Sequence, residues 1–172
     1  MAEDNGNVFH RDDILYLAGF LDGEGCFTMS HNGVRGTVHG IFVEQTDCRV
    51  LEWCVAKFGG HVRQKPRRTA SRADIFEWAL RRRIPLVALL TPLVPHLKIK
   101  IIPATILLDY CIRFNRGCAN RVPYTEEDTK AIAQYVSLMR IANATGRDAA
   151  SKKEPLKLIT SIEDVRVAAG KI

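Results

Sequence analysis

The sequence predicts an α+β domain in the order helix, two strands, helix, two strands, then further helices. Three observations carry that reading. Apolar residues follow a helical period in stretches that open at capping residues and close at glycines. After the first such stretch, and again after the second, come two short runs of strand-like composition separated by a turn. The chain is 172 residues long, 47% apolar and 26% charged, enough for one domain with a proper core.

The elements follow in order. Residues 1–10 read as a flexible leader; Met1-Ala2-Glu3-Asp4 is acidic with no apolar stretch behind it, so no secretory signal is expected. Asp12 or Asp13 is placed to cap a first helix running to about Asp22 and ended by Gly23 and Gly25. Its core stripe is Ile14, Leu17, Ala18 and Leu21, and its other side, Leu15, Tyr16, Gly19, Phe20 and Gly23, is also without charge. A helix apolar all round is buried on both sides, and in a chain this short the second side is expected to meet another subunit. Residues 26–31 and 37–45 read as strands about the glycine-rich turn Asn32-Gly33-Val34-Arg35-Gly36. Thr46 or Asp47 caps a second helix with Val50, Leu51, Cys54, Val55 and Phe58 on one face, stopped by Gly59 and Gly60. Residues 61–66 and 74–81 make the second strand pair. Pro85 suits the first turn of a third helix reaching about residue 94, and a fourth covers 101–114. Thr125, Glu126, Glu127 and Asp128 resemble a capping box opening a helix to about Asn143. Residues 144–160 are polar and linker-like, and Ser161 can cap a last short helix. The expected organisation is a leader over 1–10, a domain over 11–145, and a C-terminal linker with a short helix over 146–172.

Charge is concentrated. The net charge is +6, and residues 63–83 alone carry eight basic residues (Arg63, Lys65, Arg67, Arg68, Arg72, Arg81, Arg82, Arg83) against Asp74 and Glu77, which is also +6. An arginine-rich patch suits phosphate better than a membrane surface, because guanidinium forks match phosphate oxygens. The five cysteines are odd in number and form no C-x-x-C pair, which argues for reduced thiols rather than a disulfide or zinc framework. The longest uncharged stretch, 84–97, is too short and too proline-rich to span a membrane. An intracellular location is expected. Ala, Arg, Gly and Pro number 52 against 43 for Phe, Tyr, Met, Ile, Asn and Lys, which mildly disfavours an AT-rich organellar genome.

The most informative stretch is Tyr16-Leu17-Ala18-Gly19-Phe20-Leu21-Asp22-Gly23-Glu24-Gly25-Cys26-Phe27. Ala18 and Gly19 allow another backbone to approach. Gly23 and Gly25 bracket Glu24, so its carboxylate emerges at a tight helix-to-strand turn, a place suited to a hard cation such as Mg²⁺. This stretch resembles the signature of the LAGLIDADG homing endonucleases: Leu17, Ala18, Gly19, Asp22 and Gly25 match the name-giving pattern letter for letter. The motif occurs once, as in the small homodimeric branch of that family. The resemblance implies an αββαββα core with a four-stranded antiparallel DNA-binding saddle and C-terminal helices, in line with the element order read above.

The resemblance also implies roles. Glu24 falls on the metal-binding catalytic acid, with the Gly23 carbonyl a second ligand, Mg²⁺ or Mn²⁺ the cofactor, and Asp22 the helix-capping acid. Gln45, at the end of the second strand, corresponds to the residue ordering the hydrolytic water, and Lys100 in Leu97-Lys98-Ile99-Lys100 to the lysine reaching the active-site pocket. Leu15, Tyr16, Gly19, Phe20 and Gly23 would form the dimer interface. Strand alternation nominates Thr28, Ser30, Asn32, Arg63, Lys65 and Arg67, with Arg72 near the turn and Arg35 and His39 as additions, for DNA contact in the major groove; Arg81, Arg82 and Arg83 lie at a strand end, suited to phosphates. The implied function is metal-dependent cleavage of both strands of a long, near-palindromic duplex by a homodimer. An RNA maturase and a non-cleaving DNA-binding protein on the same fold are the alternatives.

Overall fold

The computed structural model describes residues 9–32, 36–66, 73–114 and 124–151. Their elements are α1 (Arg11–Glu24), β1 (Gly25–Asn32), β2 (Gly36–Gln45), α2 (Cys48–Phe58), β3 (His61–Gln64), β4 (Phe76–Leu80), α3 (Arg83–Leu93), α4 (Ile101–Arg113) and α5 (Glu126–Ser151), with a 3₁₀ turn at Val94–His96. The α+β order read from the sequence is the observed one.

The four strands form one antiparallel sheet in the order β1-β2-β4-β3. Its register sorts the side chains. Gly25 pairs with Val43, Phe27 with Ile41, Val43 with Trp78 and Ile41 with Leu80. Phe27, Met29, Ile41, Val43, Trp78 and Leu80 therefore share one face, and all are buried. The helices cover that face with Leu17 and Leu21 of α1, Leu51 and Cys54 of α2, Leu86, Leu89, Leu90 and Leu93 of α3, and Ile106, Leu107 and Tyr110 of α4. Truncating one such leucine to alanine costs about 2–5 kcal/mol in cores of this kind. The opposite, open face carries the alternate residues: Cys26, Thr28 and Ser30 of β1, Phe42 and Glu44 of β2, Glu77 of β4, and His61 and Arg63 of β3.

Local chemistry sets the joints. Asp47 caps α2 by accepting from the Arg49 N–H at 2.9 Å. Gly59 and Gly60 end that helix with φ of 77° and 88°, and a Cβ on Gly60 would lie 2.6 Å from the Ala79 carbonyl oxygen, so only glycine turns the chain here. Thr125 and Asp128 cap α5 reciprocally: the Thr125 N–H donates to Asp128 Oδ2 at 2.9 Å and the Asp128 N–H to Thr125 Oγ1 at 3.1 Å.

Three expectations change. The N-cap of α1 is His10, which makes no side-chain cap bond; Asp12 and Asp13 sit inside the first turn, where their charge complements the helix dipole. Gly23 lies within α1, and Gly25 caps it in an extended conformation, φ −71°. Helix α5 continues past Asn143 to Ser151; its earlier apolar face, Ile132, Tyr135, Val136 and Met139, packs on the core, and Asn143 Nδ2 donates to the Phe27 carbonyl at 3.0 Å.

Candidate active site and nucleic-acid interface

The end of α1 is built by reciprocal hydrogen bonds. The Asp22 carboxylate accepts three backbone N–H groups, from Lys98 at 2.7 Å, Ile99 at 3.1 Å and Lys100 at 2.9 Å, and so caps the turn that opens α4. Lys100 in turn closes the end of α1. Its ammonium donates to the carbonyls of Leu21 at 3.0 Å, Gly23 at 3.2 Å and Gly25 at 2.5 Å, where the helix gives way to β1. Burial lowers the Lys100 pKa below the ordinary lysine range, opposed by the nearby Cys26, Asp22 and Glu24. Gly25 is needed for this closeness, since a Cβ there would sit 2.7 Å from Leu21.

Glu24 follows directly. Its side chain is exposed and has no hydrogen bond or ion pair among the described residues. Gln45 ends β2 two residues past Val43, the strand partner of Gly25, which brings it to the same end of the molecule. It lies on the helix-side face, half-buried, paired with Phe76. Glu24, Gln45 and Lys100 are thus gathered at one end of the sheet from three separate segments.

The donor set there fits a hard divalent cation in kind: a free carboxylate and a helix-end carbonyl, both oxygen. It is incomplete in number, because among the described residues no group of three or more His, Cys, Asp or Glu converges. Mg²⁺ suits such a sparse set, as it keeps several waters and takes the rest of its ligands from substrate phosphates.

The open sheet face falls into two halves. On β1, Cys26 and Ser30 are exposed and Thr28 half-buried, a neutral surface. On β3 and β4, charges pair. Arg63 approaches Glu77 Oε1 through Nε and Nη2, each at 2.7 Å, and Lys65 Nζ lies 3.3 Å from Glu77 Oε2 while also bonding Glu44. Burial alone would raise the Glu77 carboxyl, but the hydrogen bonds from Arg63 and Lys65 outweigh it and hold the pKa below the ordinary value. Arg81 places its guanidinium 5.0 Å above the Phe42 ring on this face, and Arg82 is exposed.

Two candidates sit elsewhere. His39 has the parity of Ile41 and Val43, so it points to the helices, its ring 5.1 Å from that of Tyr110 rather than on the open face. Burial and the charge of Arg83 lower its pKa to about 4. Arg83 is the first residue of α3 and turns inward, donating to the Phe114 carbonyl at 2.8 Å and to the hydroxyls of Tyr110 at 3.0 Å and Tyr124 at 2.7 Å. His39 was nominated beside the alternating residues without a fixed register for β2, and only the register says which parity faces in. Arg35, Arg67 and Arg72 lie outside the described residues, as does the side chain of Asn32. Glu44 and Glu77 were missed: a single acid on a strand gives no signal until the register shows what it opposes.

The second side of α1 is open. Leu15 and Tyr16 are 42% and 56% exposed, and a Cβ on Gly19 or Gly23 would meet nothing within 4 Å. Tyr16 stacks on Phe20 and meets Trp53 edge-on at 5.0 Å, which continues the apolar side onto α2. No helix among the described residues is long and apolar enough to cross a membrane.

This architecture has counterparts among solved structures. No family model and no curated protein sequence matches the chain. Solved structures do. The archaeal intron-encoded homing endonuclease I-Vdi141I, complexed with DNA, superposes with a TM-score of 0.63 at 16% identity over 93% of this chain and 96% of its own. The homing endonuclease I-CvuI, in complex with its target in the presence of 2 mM Ca, gives 0.56 at 18% identity over 94% of each chain. The LAGLIDADG meganuclease I-AabMI, bound to uncleaved DNA, gives 0.57 at 14% identity, with this chain spanning 56% of its length. The chain has the LAGLIDADG homing endonuclease fold.

Proposed function

We propose that this protein is a site-specific DNA endonuclease of the homing type, which cuts both strands of a long, near-palindromic duplex as a homodimer with a divalent cation, Mg²⁺ or Mn²⁺. The observation that carries the reading is the free, exposed Glu24 carboxylate beside Lys100, at the end of a helix whose glycine-lined side is uncovered.

The open face of the sheet is the docking surface, with Thr28, Ser30, Arg63 and Lys65 toward base edges and Arg81 and Arg82 toward phosphates. Two chains pack through Leu15, Tyr16, Gly19, Phe20 and Gly23, which brings two copies of Glu24 together, one for each strand. Glu24 and the Gly23 carbonyl would hold a divalent cation, which would supply charge neutralisation at the scissile phosphate and a more acidic water. Lys100 must leave the Gly23 carbonyl for that ligand to be free, and its ammonium then faces the charge that builds on the phosphate oxygens. Gln45 supplies an amide that donates to and accepts from the water network at the strand end.

The test is Glu24→Gln, read as cleavage and binding on a duplex selected by the wild type from a randomised library. Cleavage in Mg²⁺ falls by on the order of 10³-fold or more, while binding stays near the wild-type value. Ca²⁺ supports binding by the wild type without turnover, since it holds its ligands in looser geometry. A Gln variant cutting at the wild-type rate removes Glu24 from catalysis.

A further inference from the structure

Glu77 is the only buried polar or charged side chain among the described residues, at 5% exposure, yet it lies on the open face of the sheet. Two cations bury it. Arg63 reaches Oε1 through both Nε and Nη2 at 2.7 Å, Lys65 reaches Oε2 at 3.3 Å, and Lys65 is held from its other side by Glu44. Stability is a poor reason for such a cluster, because exchanging a buried ion pair for apolar residues is often neutral or favourable. What it does fix is direction. A guanidinium is a planar fork of five N–H donors. Glu77 takes the edge formed by Nε and Nη2, which leaves the other edge, Nη1 with the outer N–H of Nη2, turned away from the carboxylate. Arg63 is 54% exposed, so that free edge is available on the surface. Two parallel donors of this kind match O6 and N7 of guanine in the major groove.

We propose that Glu77 is a positioning residue for sequence readout: it holds Arg63 in one orientation on the open face so that the free guanidinium edge meets a guanine. This rests on the reading of that face as the DNA interface. Without the carboxylate, Arg63 regains its rotamers and must lose them again on binding, which weakens discrimination at its base pair and nowhere else.

The experiment selects sites from a randomised duplex library with the wild type, Arg63→Ala, Glu77→Gln and the double variant. Glu77→Gln is expected to relax preference at the same base pairs as Arg63→Ala, by on the order of 2- to 10-fold, the cost of ordering one long side chain. The double variant is expected to be no more relaxed than Arg63→Ala alone. Glu77→Asp, which keeps the charge but draws the oxygens back by one methylene, serves where the Gln variant does not fold, and relaxes the same pairs. An unchanged profile in a folded Glu77 variant, or relaxation at other pairs, overturns the inference. A wild-type chain that enriches no sequence at all removes the DNA reading itself, a different failure from a wild type that selects a site which Glu77 variants select equally well.

Discussion

Two glutamates on this chain live in opposite surroundings. Glu24, at the end of α1, is exposed and unpaired among the described residues, and the nearby ammonium of Lys100 is occupied by the carbonyls of Leu21, Gly23 and Gly25. Glu77, the second residue of β4, is buried beneath Arg63 and Lys65. The difference lies in where the local cations are satisfied. At the helix end, three backbone carbonyls absorb the lysine, so the carboxylate keeps its lone pairs for a ligand. On the open sheet face the side chains stand away from the backbone, and the cations and carboxylates satisfy one another. A free carboxylate can do chemistry with a metal, whereas a paired one fixes the geometry of its partners.

The comparison breaks first at its largest effect. If surroundings set the roles, the same Glu→Gln change gives opposite phenotypes: at position 24 cleavage is lost with binding retained, and at position 77 the optimal site is still cut while selectivity relaxes. Equal losses of cleavage at both positions would show that the contrast in pairing has no functional meaning.

The next effect tests whether the first region acts in pairs. A Cβ at Gly19 meets nothing within 4 Å in the isolated chain, so Gly19→Leu has room in the monomer and gains helix propensity of about 0.8 kcal/mol. Any loss must then come from a second helix packed on that side. Light scattering is expected to show the variant near 19.3 kDa, with cleavage of both strands abolished, and the wild type at twice that mass. A wild type that stays monomeric and still cuts both strands would sink the homodimer.

Much of this was legible in the sequence, for reasons that differ by residue. The core stripe Ile14, Leu17, Ala18 and Leu21 was readable because a helical period needs only local spacing. Glu24, Asp22 and Lys100 were readable through one specific motif and one short one, and the hydrogen bonds between Asp22 and residues 98–100 bring them together across about 75 residues of chain. The Glu77 cluster was not readable, because it depends on Arg63 pairing with Glu77 across β3 and β4, a register that no local pattern fixes. His39 and Arg83 failed for the same reason: their roles are set by Tyr110 on α4, far away in the chain.

His39 gives the third effect, beneath the second region rather than on it. It faces Tyr110 and the cations Arg83 and Arg81, and its pKa falls from 6.5 to about 4. The unfolded chain therefore binds more protons than the folded one between those values. Stability is full above pH 6.5 and declines as pH falls to about 4, by on the order of 3 kcal/mol at about 1.4 kcal/mol per pKa unit. His39→Phe, which keeps a ring against Tyr110, is expected to flatten that limb of a urea-stability profile and leave the further loss below pH 4.5, where carboxylates such as Glu77 protonate. An unchanged slope between pH 6.5 and 4 would place the ring in solvent and return it to the candidate contacts.

The smallest effect separates the paired cations from the unpaired ones. The excess of +6 in residues 63–83 suggests a large electrostatic contribution to DNA affinity, but Arg63 and Lys65 are already matched by Glu77 and Glu44, and Arg83 is turned inward. Their net contribution to the long-range attraction should be small, whatever they do for readout. Arg82 is different: it is exposed at the end of β4, and among the described residues no carboxylate holds it. Each phosphate deprived of its cation should lower the slope of log affinity against log salt by about 0.9. Arg82→Ala is therefore expected to reduce the slope by about that amount for each copy that touches a phosphate, to weaken all sequences alike, and to leave the selected site unchanged. Arg63→Ala is expected to do the reverse, moving the sequence profile with a smaller change of slope, because it meets a base edge rather than a phosphate. Fluorescence anisotropy over a salt series, on the selected site and on a scrambled duplex, reads both quantities from the same titrations. If Arg63→Ala lowers the slope as much as Arg82→Ala and leaves the profile alone, the Glu77 pairing is broken on DNA and Arg63 belongs with the residues that hold phosphates.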